Sequence, residues 1–133
     1  MLEFTPDLEI NVPNIDGQHR ELFKRINDVL AMGEKSAGKE ETDKTLRLLE
    51  DYVVKHFGDE EALQKKSGYP KYEWHCEQHK LFLEDFKKLK SEYEKTGPSM
   101  EFTLRINKSV IDWLLKHIKF VDTELGKFLN SKT

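Results

Sequence analysis

The sequence predicts an all-α protein: an up-down-up-down four-helix bundle with an extended N-terminal arm. Three observations carry this. Apolar residues recur every three or four positions along four long stretches. The breakers Pro13, Gly33 to Gly38, Ser67-Gly68-Tyr69-Pro70 and Gly97-Pro98 fall between those stretches. The connections are short, and short connections between long helices make antiparallel neighbours. With 133 residues and a lone Cys76, the chain reads as a single domain over 1–133, large enough to bury a core without disulfide staples.

Each element has its own warrant. The arm, about residues 1–16, carries Phe4, Leu8, Ile10 and Val12, and its alternation from Leu8 onward lets one side lie against the bundle. The first helix, about 17–36, turns Leu22, Phe23, Ile26 and Leu30 inward, and the second, about 40–66, turns Leu46, Leu49, Val53 and Leu63. The third, about 71–95, contributes Tyr72, Phe82, Phe86 and Leu89. The fourth, about 99–130, contributes Ile106, Val110, Trp113, Val121 and Phe128.

Composition narrows the function classes. Twenty-two Lys and Arg against 25 Asp and Glu give a formal charge of −3, with the two signs interspersed, so nucleic acid is not the expected partner. Runs such as Lys65-Lys66 and Lys87-Lys88 lie near Glu60-Glu61 and Glu84-Asp85, at spacings that suit solvated helix faces. No glycine-rich phosphate loop or nucleophile-elbow motif is present. No stretch has the roughly 18 apolar residues of a membrane span, and the opening residues lack a signal-peptide layout, so no membrane insertion and a cytoplasmic location are expected.

The histidines carry the chemistry. The chain has five, and all five fall on inward stripes. His19 precedes Leu22, Phe23 and Ile26; His56 follows Leu49 and Val53; His75 and His79 run into Phe82 and Phe86; His117 follows Val110 and Trp113. A lone core histidine is readily satisfied by a carbonyl. Five unsatisfied imidazoles in one core would each cost roughly 1–3 kcal/mol against a total stability of about 5–15 kcal/mol, so something must hold those nitrogens. In an up-down bundle they converge at one depth. Glu60, one turn after His56, and Asp122, five after His117, add two inward carboxylates, and a buried acid needs a partner.

A cation serves both sets. Imidazole with carboxylate and no thiolate permits iron, zinc, copper or nickel and argues against magnesium, calcium or an iron–sulfur cluster. Cys76 is rotated about 100° from His75 and reads as a small, partly buried thiol. Seven ligands are too many for one tetrahedral zinc and suggest two metals. With both carboxylates bridging and an oxide or hydroxide as third bridge, two octahedral ions keep one open position, as small-molecule binding requires. The five-residue spacing of His117 and Asp122 leaves them about 140° apart on a regular helix. Glu124 is closer in angle but about 10 Å along the axis. Asp122 is therefore the expected ligand, with the helix widened between Val110 and Asp122 as a π-bulge.

These residues resemble those of a known family. The runs Ile15-Asp16-Gly17-Gln18-His19, His56-Phe57-Gly58-Asp59-Glu60-Glu61, Tyr69-Pro70, His75-Cys76-Glu77-Gln78-His79 and Trp113-Leu114-Leu115-Lys116-His117, followed by Asp122, are similar to the hemerythrins, specifically single-domain bacteriohemerythrins, over nearly the whole chain. The resemblance implies two iron ions. His75, His79 and His117 would hold one and His19 and His56 the other, with Glu60, Asp122 and an oxo or hydroxo group bridging. It further implies molecular oxygen as the partner, bound at the open position of the two-histidine iron. Trp113, Leu114 and Ile118 are nominated as the dry wall beside that position, with Ile118 along the approach from outside.

Three positions depart from the family pattern. Phe4 stands where Trp is common, Asn11 where Gly is common and Gln64 where Met is common. Asn tolerates left-handed backbone, so the arm can still turn at Asn11. Gln64 either donates a hydrogen bond near the centre or is a polar residue facing the bundle end, the second being the simpler reading. The expected function is reversible oxygen binding for transport, storage or delivery rather than an enzyme. The alternatives are a di-iron enzyme reducing peroxide or nitric oxide, and an oxygen-sensing module acting through a separate partner.

Overall fold

The computed structural model describes residues 2–34 and 38–131. An extended arm interrupted by one 3₁₀ turn at Pro6–Leu8 leads into α1 (Pro13–Glu34), α2 (Lys39–Ser67), α3 (Tyr72–Thr96) and a composite α4 spanning 100–131. These form an all-α four-helix bundle, as the periodicity predicts. No described helix is long and apolar enough to cross a membrane. Residues 35 and 36 of the expected first helix, and residues 1, 37, 132 and 133 of the expected domain, lie outside the described residues.

The first helix starts at Pro13, inside the expected arm. Proline is tolerated there because the first turn of a helix has no intrahelical partner for its N–H groups. Buried Asp16 fixes the junction: its carboxylate accepts the N–H of Ile10 at 2.9 Å and of Asn11 at 3.1 Å. Asn11 takes φ 62°, a left-handed conformation that Asn adopts at modest cost. Leu8 and Ile10 are buried and Val12 half-buried, in the expected alternation. The arm is clamped at its other end by Asn27, which accepts from Leu2 N and donates to Leu2 O.

The remaining junctions follow ordinary capping chemistry. Gly68, at φ 72°, ends α2 in the left-handed region, and Tyr69 N–H closes back on Gln64 O at 3.0 Å. Ser99 caps α4 by accepting Phe102 N–H at 3.1 Å. Gly126 is needed for a close approach, since a Cβ there would sit 2.5 Å from the carbonyl oxygen of Ile10.

The main core contains Leu22, Phe23, Ile26, Leu46, Leu49, Val53, Phe82, Phe86, Leu89, Ile106 and Val110. A smaller cluster of Ile10, Ile15, Tyr69 and Leu125 closes the end where the arm lies. The expected stripe on the fourth helix holds only in part. Ile106 and Val110 are buried, but Trp113, Val121 and Phe128 are half-buried, and Phe102, Leu114, Ile118 and Leu125 fill the core instead. The cause is geometric. α4 opens into i→i+5 turns at Ile106–Ile111 and His117–Asp122, and each shifts the phase of the residues that follow.

Candidate metal centre

All seven nominated metal-binding side chains come together inside the bundle, each at most 4 % exposed. Their ligand atoms form two groups: Glu60, His75, His79, His117 and Asp122; and His19, His56, Glu60 and Asp122. The helix period explains most of this. His56 and Glu60 on α2, and His75 and His79 on α3, are four residues apart and share a face. His117 and Asp122 are brought together by the widened turn His117–Asp122, where Thr123 N–H closes on the Ile118 carbonyl five residues back. The Thr123 hydroxyl donates to the same carbonyl at 3.0 Å. Glu124 points away and pairs with Lys71 at the surface.

The two carboxylates each turn one oxygen to each group. Asp122 Oδ1 lies 3.1 Å from His75 Nε2 and 3.2 Å from His117 Nε2, while Oδ2 lies 3.0 Å from His19 Nε2. Glu60 Oε1 lies 2.9 Å from His75 Nε2 and 3.3 Å from His79 Nε2, while Oε2 lies 3.5 Å from His56 Nε2. None of these four buried oxygens accepts a well-directed hydrogen bond among the described residues.

Outer hydrogen bonds fix two tautomers. His79 Nδ1 donates to Glu61 Oε2 at 2.7 Å, so its Nε2 presents a lone pair to the centre. His56 Nδ1 donates to Gln18 Oε1 at 2.7 Å, and that amide's orientation is set because Gln18 Nε2 donates to Asp59 at 2.8 Å. Burial lowers both imidazoles, His56 to about 4 and His79 to about 3, the latter helped by His117 and His75, so both are neutral at pH 7. Their lone pairs therefore face the Glu60 oxygens, at 3.5 Å from His56 Nε2 and 3.3 Å from His79 Nε2. Acceptors facing acceptors in a dry core are unfavourable unless cations lie between them. The donor set thus fits two cations that share the carboxylates.

The other groups shift in both directions. Burial would lower His75, but Asp122 and Glu60 outweigh it and lift the imidazole to about 9. His19 is raised, Asp122 outweighing burial. Asp122 is held well below the usual carboxylate range, because His117, His19 and His75 outweigh its burial, whereas burial and the Asp122 charge push Glu60 up.

Aromatic rings hold the three-histidine group. Phe57 stacks on His79 with centroids 3.8 Å apart, and Trp113 stacks on His117 at 4.4 Å and packs on Phe82 at 4.3 Å. Trp113 therefore stands beside the three-histidine group. Leu114 is buried close by in sequence, and Ile118 is fully buried in the main core. Ile118 thus does not line an approach from outside, because the widened turn rotates it inward. On the two-histidine side, Phe4 lies 6.4 Å from His19 and 5.5 Å from Phe23, with Arg20 over its outer face. Cys76 is free, half-buried and outside both ligand groups. Gln64 is fully buried with neither amide atom hydrogen-bonded among the described residues, so it does not face solvent at the bundle end.

Sequence reasoning missed the outer partners Gln18 and Glu61, although each adjoins a nominated ligand. That adjacency was the available signal.

Residues 11–129 match the family model of the hemerythrin HHE cation binding domain. The chain belongs to the hemerythrin family. It is 32% identical over 124 residues to a bacteriohemerythrin of Methylococcus capsulatus, covering 91% of this chain and 90% of that one. It is 28% identical over 125 residues to a bacteriohemerythrin of Campylobacter jejuni, covering 94% and 92% of the two chains. Myohemerythrin-1 of Phascolopsis gouldii is 33% identical over 109 residues, covering 82% and 78%. The crystal structure of a wild-type hemerythrin superposes with a TM-score of 0.83 at 28% identity, covering 97% of each chain. A hemerythrin family member with this donor set is a cation-binding protein.

Proposed function

We propose that residues 1–133 form one hemerythrin domain that binds molecular oxygen reversibly at a non-haem di-iron centre, for transport, storage or delivery. His75, His79 and His117 would hold one iron and His19 and His56 the other, with Glu60 and Asp122, common to both groups, serving the two. The observation that carries this reading is the division of each carboxylate's oxygens between the two histidine groups. The iron pair supplies the electrons that oxygen binding requires, and the chain supplies the surroundings. Phe57 and Trp113, stacked on His79 and His117, cover the three-histidine group, and Leu114 and Ile118 extend the same apolar core, which keeps that side dry. Asp122 and Glu60, each engaged on both sides, hold the two positions at a fixed separation.

Binding is favoured over turnover by what surrounds the ligands. Among the described residues the other buried side chains with polar atoms are Asp16, Thr42, Gln64, Tyr69 and Tyr93, and burial pushes the Tyr69 phenol beside His75 up to about 12. The Asp16 carboxylate is occupied by two backbone N–H groups, and neither an amide nor a hydroxyl is a competent acid near pH 7. Reduction of peroxide or nitric oxide needs proton delivery, for which the buried side chains beyond the seven ligands offer no ready acid. The test is metal analysis followed by oxygen titration of the anaerobically reduced protein. Two irons per chain with reversible uptake of one oxygen molecule is the expected result. Sustained turnover with an electron donor would overturn it.

A further inference from the structure

The histidine groups differ in what stands behind them. Behind His79 is Glu61, a carboxylate whose side chain is 29% exposed and which accepts the Nδ1–H at 2.7 Å. Behind His56 is the neutral amide of Gln18, also at 2.7 Å. The nearest charge on that side, Asp59, is one link further out, and Lys55 neutralises it at 2.8 Å. An anion accepting from Nδ1–H pushes electron density onto the ring and makes Nε2 a stronger donor, and an amide does so less.

We infer that Glu61 and Gln18 are positioning residues that make the two metal positions unequal. Glu61 strengthens the three-histidine position through His79, and Gln18 shields the two-histidine position from the Asp59 charge. This rests on the dinuclear reading proposed above. Ligand number already favours the three-histidine position, so the specific content is that the outer charge widens the gap. The geometry permits a clean separation of charge from orientation. In Glu61→Gln the amide oxygen can still accept the His79 proton, so the ring stays oriented while the anion is lost. Gln18→Glu combined with Asp59→Asn reverses the polarity of the other chain while keeping its hydrogen bonds.

The experiment is anaerobic titration of the metal-free protein with cobalt(II) against a competing chelator, with stepwise affinities read from visible absorption. The variant His56→Gln assigns the steps, because it disables the two-histidine position. Glu61→Gln is expected to weaken the tight step about 10- to 100-fold and leave the weak step in place. The double variant is expected to tighten the weak step by about tenfold or more and narrow the gap. If Glu61→Gln leaves the tight step unmoved, or shifts both steps equally, the inference fails and Glu61 only orients the ring. A parent chain that takes up a single metal ion would overturn the dinuclear reading and this inference with it, whereas two ions with unmoved variant affinities would overturn this inference alone.

Discussion

The half of the bundle remote from the centre and the half that holds it are built on different terms. In the remote half, Leu46, Leu49, Phe86, Leu89, Tyr93, Phe102 and Ile106 fill a core that is almost wholly apolar. Its stability comes from burial. The half with the centre carries the widened turn His117–Asp122, a left-handed Asn11, backbone pressed on Gly126, and two buried carboxylates facing imidazoles. Its stability depends on what the imidazoles and carboxylates hold. One half is finished by folding, and the other by loading.

Chelation should break the comparison most sharply. Each ion present at about a thousandfold over its dissociation constant stabilises the fold by about 4 kcal/mol, so stripping two should lower the urea midpoint far more than any single substitution discussed here. Hydrogen exchange should quicken around His19, His56, His75 and His117 and change little around Leu49 and Leu89. Equal quickening at both ends would show that the halves are not separate.

Leu49→Ala tests the other half. Leu49 is fully buried, so truncation should cost about 2–5 kcal/mol in both metal-free and metal-loaded protein. A cost that appears in only one form would couple the halves.

The metal-free protein should also respond to alkali. His75 is raised from 6.5 to about 9 in the fold, so its contribution is fully present below pH 6.5 and is lost as pH rises through about 9. His19 is raised too and acts with the same sign, while His56 and His79, already neutral, do not oppose it in this window. Urea unfolding at pH 6.5 and pH 9.5 should differ by on the order of 3 kcal/mol. The loaded protein, with metal in place of the protons, should not show this loss, and His75→Gln should reduce it in the metal-free form.

Gln64→Met replaces a buried, unpartnered amide with a side chain of similar length and should stabilise the metal-free protein by about 1–3 kcal/mol. A smaller gain in the loaded protein would show that the amide finds a partner there. Leu114→Ser should change little in iron content or fold but admit water, and the oxygenated protein should decay about tenfold faster, about 1.4 kcal/mol in barrier. An unchanged decay rate with both irons bound would remove Leu114 from the dry wall.

Much of this was legible beforehand. Helix period placed every histidine inward, and the i, i+4 pairs His56 with Glu60 and His75 with His79 needed no structure to be joined. The awkward spacing of His117 and Asp122 signalled a widened turn, which the structure places at His117–Asp122. A second one at Ile106–Ile111 had no such signal, since no pair of ligands brackets it. It also contributes to the drift of the stripe on α4, beginning at Trp113. Gln18 and Glu61 stayed hidden because period fixes the face of a residue, not the rotamer that reaches a neighbouring helix. Gln64 misled because an amide at an inward position normally finds water or a partner.

The clasp between the arm and the end of α4 has a consequence for synthesis. Asn130 Nδ2 donates to the carbonyls of Ile10 and Asn11, at 3.4 and 3.2 Å, across 120 and 119 positions of chain. Asp122 and His117 lie just upstream of it. A nascent chain that has released α1 to α3 from the ribosome already displays four of the five imidazoles and Glu60, yet it cannot complete either ligand group. Completion of the centre is therefore a late event in the life of each molecule, and a chain stalled before residue 117 leaves unfinished both the centre and the closure that joins its arm to its last helix.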